Sequence, residues 1–172
     1  MASTDIYNYV KVNDALITGG QPTAEQIRSL AEEGFSTVIN LDTADSARAL
    51  AGEAELVRSL GMTYHHIPVD WRNPTEADFA AFARVMSDLP AGKTLIHCAA
   101  NFRVTAFYSL YALERLGWSA ARADEFRAVI WKGSDHPGWQ EFIARMEARI
   151  LARRSGGAPA VEEAPSEPGR AA

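Results

Sequence analysis

The stretch TLIHCAANFRVT, residues 94–105, holds the single cysteine of the 172-residue chain. An apolar run ends at His97, Cys98 follows, and Arg103 stands five positions further on. A cysteine thiolate is a nucleophile, and an arginine guanidinium is a permanent cation whose planar fork can hold two oxygens of an anion. Together the two residues predict attack on a tetrahedral oxyanion such as a phosphate monoester. The alternative is that Cys98 is a small core residue, as free cysteines commonly are.

The surroundings of Cys98 favour the nucleophile. KTLIHC, from Lys93, is typical of a buried strand, and residues 104–116 are typical of a mostly buried helix. The first N–H groups of a helix are unpaired and carry partial positive charge, so a loop leading into them binds anions and favours a thiolate. We therefore expect the amides of five residues to form a phosphate cradle: Ala99, Ala100, Asn101, Phe102 and Arg103.

Elements of two kinds alternate along the chain and must position this loop. Strands are predicted at residues 7–12, 15–18, 35–41, 62–69 and from Lys93, and helices from a capping box at Thr23, at 46–60, 75–89, 104–116, 120–131 and 139–151. This alternation predicts an α/β three-layer sandwich with a largely parallel central sheet of four to five strands flanked by helices. Ligands of such sheets bind at the carboxyl ends of the strands, which is where Cys98 lies.

Length and composition limit the remaining possibilities. We expect one domain, residues 1–152, followed by a disordered Pro-, Gly- and Ala-rich tail, residues 153–172. The net charge of -5 argues against a nucleic-acid surface, and no apolar run is long enough to span a membrane. The N-terminus has no features of a signal peptide, and a single cysteine suits a reducing cytoplasm.

HCAANFRVT resembles the signature loop of the cysteine-based protein tyrosine and dual-specificity phosphatases, in which His-Cys is followed by five residues, Arg, and then Ser or Thr. ITGGQPTAEQIRSLAEEGFSTVINL (residues 17–41) and IPVDWRNPT (residues 67–75) resemble small bacterial members in the same order. The resemblance covers roughly residues 7–150. It implies the phosphatase fold, a phosphocysteine intermediate, no metal and no cofactor, and a phosphotyrosine protein or a small phosphomonoester as substrate.

The loop departs from the family pattern in length. Four residues separate Cys98 from Arg103, one fewer than in the family, and Asn101 stands where a glycine is usual. Asparagine tolerates a left-handed backbone well, so the turn can survive. Either the loop is shorter and Arg103 still points inward, or the helix keeps its register and Val104 takes the place of the arginine. We expect the first geometry.

The resemblance also implies an acid that protonates the leaving group. Asp70, in the loop after the 62–69 strand, fits by position. The alternative is that it is a solvated loop aspartate with no catalytic role. Asp78 is the second candidate, but its place in the first turn of a helix capped by Thr75 is explanation enough. Thr105 could hydrogen-bond the thiolate, or else bond back within its own helix.

Other polar and aromatic residues have supporting or structural interpretations. The resemblance implies that His97 supports the loop. Trp71 could flank the pocket or anchor its own loop. His65 and His66 are adjacent on a strand and point to opposite faces, which argues against a joint metal site. His136 has no evident partner in the sequence.

Two other functions remain open. A rhodanese-like sulfurtransferase also presents one cysteine between a strand and a helix, although His97 and Arg103 favour phosphate over sulfane sulfur. The shortened loop also fits a weakly active module that binds phosphate without efficient turnover. The hypothesis that we carry forward is a metal-independent cysteine phosphatase.

Overall fold

A computed structural model describes residues 2–156 of the chain. At its centre lies a five-stranded sheet in the order β1-β2-β5-β3-β4. The strands are β1 (Val10–Asn13), β2 (Leu16–Gly19), β3 (Phe35–Asn40), β4 (Thr63–His66) and β5 (Lys93–His97). The four strands β2, β5, β3 and β4 run parallel, and the edge strand β1 is antiparallel to β2. The predicted largely parallel sheet is confirmed.

Helices follow the strands in the predicted order. They are α1 (Ala24–Glu32), α2 (Glu53–Ser59), α3 (Glu76–Ser87), α4 (Phe102–Arg115), α5 (Ala120–Trp131) and α6 (Pro137–Gly156). The capping box before α1 is confirmed: the N–H of Gln26 donates to Thr23 Oγ1, and the N–H of Thr23 donates to Gln26 Oε1. A short 3-10 helix, Ser3–Asp5, precedes the sheet.

The sheet separates two apolar cores, because successive residues of a strand point to opposite faces. Val38 and Leu95 pack with α1 and α2 in the smaller core. Ile39 and Ile96, one position along, pack with α3, α4, α5 and α6 in the larger core. The three-layer α/β sandwich is therefore confirmed, with α4 buried along most of its length, as predicted.

Three predicted boundaries are wrong. The first strand starts at Val10, because Asn8 adopts a left-handed backbone (φ 54°) that breaks an extended chain. The helix expected at residues 46–60 starts at Glu53, after Gly52 in a left-handed conformation (φ 77°). Helix α6 continues to Gly156, past its predicted end at residue 151; most of the tail expected from residue 153 lies outside the described residues.

Within residues 2–156, no helix combines the length and the apolar character needed to cross a membrane.

Candidate functional site

The candidate site is built on the loop that joins β5 to α4. Cys98 and Asn101 are completely buried, and α4 begins at Phe102 with Asn101 as its N-cap. Asn101 adopts a left-handed backbone, φ 70° and ψ 4°. This conformation turns the chain from strand into helix within a few residues. The expectation that asparagine can replace glycine in this turn is confirmed.

Hydrogen bonds hold the outer side of the loop. The Asn8 side-chain amide donates to Ala100 O (2.9 Å), and the Asn101 side-chain amide donates to Asn8 O (2.8 Å). Ala99 O accepts from the N–H of Gln21 (3.0 Å). The C=O and N–H of a trans peptide point in opposite directions, so the N–H groups of Ala100 and Asn101 point away from these partners. The two N–H groups are thus not directed at Gln21 or Asn8, which hold the carbonyls of the loop.

Gly20 allows the chain after β2 to approach this loop closely. It forms an isolated β-bridge with Ala100. A Cβ atom at Gly20 would lie 2.6 Å from Ala99 O and 2.7 Å from Cδ2 of Tyr7. Any side chain larger than hydrogen at this position must displace the loop or Tyr7.

Cys98 and Arg103 line the same cavity, which has a volume of about 270 Å³. The other residues that line it are Trp71, Ala99, Ala100, Phe102 and His136. Val104 is completely buried. Arg103, and not Val104, therefore lines the cavity of Cys98, which is consistent with the first of the two geometries that the sequence leaves open.

The guanidinium of Arg103 is held by two partners. Its Nη1 donates to Val69 O and its Nη2 donates to Asp42 Oδ1, each at 2.8 Å. The side chains of Arg103 and Asp42 are 8% and 1% exposed, so this is a buried ion pair. Two of the five N–H donors of the guanidinium make these bonds, which leaves donors for an anion in the cavity.

Sequence reasoning missed Asp42. It follows β3 at the carboxyl edge of the parallel sheet, the same edge as Cys98, and that position is the signal that could have indicated it. Oδ1 of Asp42 also accepts from the N–H of Thr43, whereas the buried Oδ2 has no hydrogen-bond partner among the described residues.

His97 lies between the carboxylate of Glu53 and the backbone carbonyl of Cys98. Its Nε2 is 2.6 Å from Glu53 Oε2, and its Nδ1 is 3.1 Å from Cys98 O. Burial by itself raises the pKa of Glu53, but the hydrogen bond and charge of His97, with hydrogen bonds from Gln21 and Tyr64, outweigh it and lower the pKa below its ordinary 4.5. Sequence reasoning predicted support from His97 but missed Glu53.

The same network reaches Arg103 from the other side. The pKa of Tyr64 is raised to about 12, chiefly by burial, and its hydroxyl accepts from the side-chain amide of Asn40 at 3.0 Å. Asn40 Oδ1 in turn accepts from the N–H of Asp42 at 2.8 Å. Asn40 thus links Tyr64 to Asp42, one of the two buried carboxylates behind the loop.

Comparison with known protein families gives a match over most of the chain. A family model described as "DSP-PTPase phosphatase fused to NAD+ Kinase" matches residues 1–133. The chain belongs to this dual-specificity phosphatase family. The resemblance inferred from the signature loop is therefore confirmed at the level of the superfamily.

Individual relatives and solved structures are similar to this chain to different extents. The DUF442 protein of Shewanella putrefaciens CN-32, whose crystal structure is described as that of a candidate phosphatase, is 31% identical with a TM-score of 0.76, over 86% of this chain and 95% of that one. Tk-PTP shares the fold at 18% identity, with a TM-score of 0.70 over 84% of this chain and 97% of that one. The "Beta-lactamase hydrolase-like protein" of Xylella fastidiosa is 31% identical over 70% of this chain, which spans only 28% of that relative's length.

Asp70, predicted from the sequence as the acid, lies beside the cavity that Cys98 and Arg103 line. Asp70 is exposed, and its Oδ1 accepts from the N–H of Arg72 at 2.9 Å. It lines a second cavity of about 600 Å³, to which Arg103 and Trp71 also contribute. Asp78 lies in the first turn of α3, and its N–H donates to Thr75 Oγ1, as the capping interpretation predicts.

Trp71 separates the two cavities and lines both. Its ring stacks on Trp139 at 5.4 Å, and its carbonyl accepts from the indole N–H of Trp139 at 2.8 Å. Both roles considered for Trp71, flanking the pocket and anchoring its loop, are therefore present. His136, for which the sequence indicated no partner, packs edge-on against Trp71 at 5.1 Å and lines the cavity of Cys98.

Thr105 takes the structural alternative. Its hydroxyl lies 2.8 Å from Asn101 O and 3.1 Å from Phe102 O, and it accepts from the indole N–H of Trp131 at 3.1 Å. A hydroxyl has one proton to donate, and these carbonyls use it. The structure therefore argues against the predicted hydrogen bond from Thr105 to the thiolate and assigns Thr105 to the support of the α4 N-terminus.

Proposed function

We propose that the chain hydrolyses phosphomonoesters, with Cys98 as the nucleophile. The observation that carries this proposal is the shared cavity of Cys98 and Arg103 at the start of α4. A helix N-terminus, loop amides and a guanidinium with unused donors form a site for the three non-bridging oxygens of a phosphate. Membership of the phosphatase family supports the same reaction.

The first step transfers the phosphoryl group to sulfur. The Cys98 thiolate attacks phosphorus, the S–P bond forms, and the ester P–O bond breaks. Arg103 and the loop amides hold the equatorial oxygens, on which the negative charge is spread. Asp70 gives its proton to the departing oxygen, which leaves as an alcohol or phenol.

The second step releases phosphate. Asp70, now a carboxylate, takes a proton from a water molecule as that water attacks the phosphocysteine. The S–P bond breaks, the thiolate of Cys98 is restored, and inorganic phosphate leaves. Thiolate, arginine and aspartate supply every charge and proton in this scheme, so we propose that no metal is needed.

The lining of the cavity bears on the substrate. Trp71, Phe102 and His136 form an aromatic wall beside Cys98, which suits a phosphotyrosine side chain or a small aryl phosphate. A thiolate nucleophile without a protecting disulfide works best in a reducing compartment, so we propose a cytoplasmic location.

The test is hydrolysis of an aryl phosphate by the purified chain with EDTA present, compared with Cys98→Ser and Arg103→Ala. We expect turnover in the parent, its loss in both variants, and a phosphoryl adduct on Cys98 in acid-quenched parent enzyme. Full turnover by Cys98→Ser, or turnover by the parent that disappears with EDTA, would rule out this mechanism.

The buried Arg103–Asp42 pair also favours a second candidate, a module that binds phosphate with little turnover. An arginine already neutralised by a carboxylate holds an anion less strongly than a free one. This candidate predicts that phosphate stabilises the chain against heat while hydrolysis stays at background. Replacing Asp70 by Asn would then change neither quantity.

A further inference from the structure

The imidazole of His97 lies between two hydrogen-bond acceptors. Glu53 Oε2 is 2.6 Å from Nε2, and the carbonyl oxygen of Cys98 is 3.1 Å from Nδ1. A neutral imidazole has one N–H, so it can donate to only one of these oxygens. Both bonds form together when the ring is an imidazolium and Glu53 is a carboxylate.

The contacts of Glu53 favour the carboxylate. The side-chain amide of Gln21 donates to Glu53 Oε1 at 2.7 Å. The neutral hydroxyl of Tyr64 also lowers the pKa of Glu53. The pKa of Glu53 accordingly lies below its ordinary value. A neutral donor on Oε1 and the lowered pKa therefore favour Glu53 as a carboxylate.

We propose that Glu53 is a positioning residue that keeps His97 as an imidazolium, so that a buried positive charge lies beside Cys98 and favours its thiolate. The inference rests on the proposed function, because it concerns the reactivity of the same nucleophile. A cation next to a cysteine increases the thiolate fraction. Glu53 lies on α2, in the smaller-core layer of the fold, and touches no atom that reacts.

Other charged groups also face this region. Arg103 and His136 line the cavity of Cys98, and Arg58 lies 5.8 Å from the ring centre of Tyr64. None of these residues is changed in the alkylation experiment below. A difference between the variants therefore reports on Glu53.

The first measurement is the rate of alkylation of Cys98 by iodoacetamide as a function of pH. Cys98 is the single cysteine, so every adduct reports on it. The variants are Glu53→Gln, which removes the charge at nearly constant shape, and Glu55→Gln, an exposed acid on the same helix, as the control. We expect the midpoint of the pH profile to rise by about one unit in Glu53→Gln, a tenfold change in thiolate fraction. We expect Glu55→Gln to match the parent.

An unmoved midpoint in folded Glu53→Gln would overturn the proposal. A second measurement needs no change at Glu53: the ring ¹⁵N resonances of His97 in the labelled parent at pH 7. They are assigned by elimination with His65→Gln, His66→Gln and His136→Gln. We expect both ring nitrogens of His97 to carry protons, and the pattern of a neutral imidazole would contradict the proposal even if Glu53→Gln failed to fold.

Neither readout depends on phosphatase turnover. If the parent hydrolyses no phosphomonoester but the alkylation midpoint still rises in Glu53→Gln, the proposed function is refuted and the role of Glu53 is retained. If the parent hydrolyses aryl phosphate and the midpoint is unchanged in Glu53→Gln, the proposed function is retained and the role of Glu53 is refuted.

Discussion

At the scale of single residues, the position of Asp70 determines how a leaving group could be protonated. Asp70 and Cys98 line different cavities, and Trp71 lines both of them. A leaving group must therefore extend from the cavity of Cys98 toward the second one to meet this acid. Exposure of Asp70 leaves it free to move toward such a group when substrate binds.

We predict that Asp70→Asn lowers the hydrolysis rate of phenyl phosphate about 100-fold, the usual worth of a general acid. Nitrophenolate departs without a proton, so the loss with p-nitrophenyl phosphate should be much smaller. Asp78→Asn is the control and should match the parent. Equal losses with both substrates, or a loss in Asp78→Asn instead, would contradict the role of Asp70.

Asp42 gives a second prediction at this scale. Asp42→Asn leaves the buried Arg103 charge without its counter-ion, which should lower the free energy of unfolding by up to about 3–5 kcal/mol. Added inorganic phosphate supplies the missing negative charge, so it should raise the melting temperature more in Asp42→Asn than in the parent. Thermal unfolding with and without phosphate measures this, with the exposed Asp45→Asn as control. A smaller phosphate effect in Asp42→Asn would show that Arg103 does not hold the anion.

Residue types drew attention to Cys98 and Arg103, because few side chains can attack or hold a phosphate, and the structure places both residues on one cavity. The carboxylates behind them could not be found in this way. Asp42 and Glu53 are two of 22 acidic residues, and what distinguishes them is burial against Arg103 and His97, respectively. Burial depends on tertiary packing, which neither spacing nor composition reports.

At the scale of elements, the start of α4 depends on the left-handed turn at Asn101. The side-chain amide of Asn101 also donates to Asn8 O and to Thr18 Oγ1, at 2.8 and 2.9 Å. The residue therefore contributes both a backbone conformation and hydrogen bonds that link the loop to the segment before β1 and to strand β2. Two substitutions separate these contributions.

We predict that Asn101→Ala is less stable than Asn101→Gly by about 1 kcal/mol. Both variants lose the side-chain bonds, but alanine also pays about 1–2 kcal/mol for a left-handed backbone, partly offset by the greater freedom of glycine in the unfolded chain. Urea unfolding of the two variants measures the difference. If alanine were as stable as glycine, the turn would not need its left-handed conformation.

Helices with a capping residue and apolar residues at helical spacing were predictable, as the capping box at Thr23 and the buried face of α3 show. The stretch before α2 was not. Residues 46–52 have helical composition, yet they form turns, several of which line cavities beside the sheet edge. Local propensity is weak there, and the left-handed Gly52 sets the start of the helix.

At the scale of the whole molecule, the buried Glu53–His97 pair makes the fold sensitive to acid. The pKa of Glu53 is lowered in the folded protein, so its contribution to stability is present above the ordinary value of 4.5. That contribution is lost as the pH falls through the lower pKa that Glu53 has in the folded protein, because the carboxylate is then protonated in both the folded and the unfolded state.

We therefore predict that the difference in unfolding free energy between the parent and Glu53→Gln is largest near neutral pH and shrinks as the pH falls below 4.5. Denaturant unfolding at a series of pH values measures it, and Glu55→Gln should follow the parent throughout. A difference that stayed constant into acid would mean that the charge of Glu53 adds nothing to stability.

The aromatic cluster around Trp71 joins distant parts of the chain at one place. Trp71 follows β4, Trp131 ends α5 and Trp139 lies in the first turn of α6, with ring centres 5.4–6.2 Å apart. These are three of the four tryptophans in the protein, and Trp71 itself lines the cavity of Cys98. Most of the intrinsic fluorescence of the chain therefore originates beside the nucleophile, so the occupancy of the cavity can be followed by its emission without an added label.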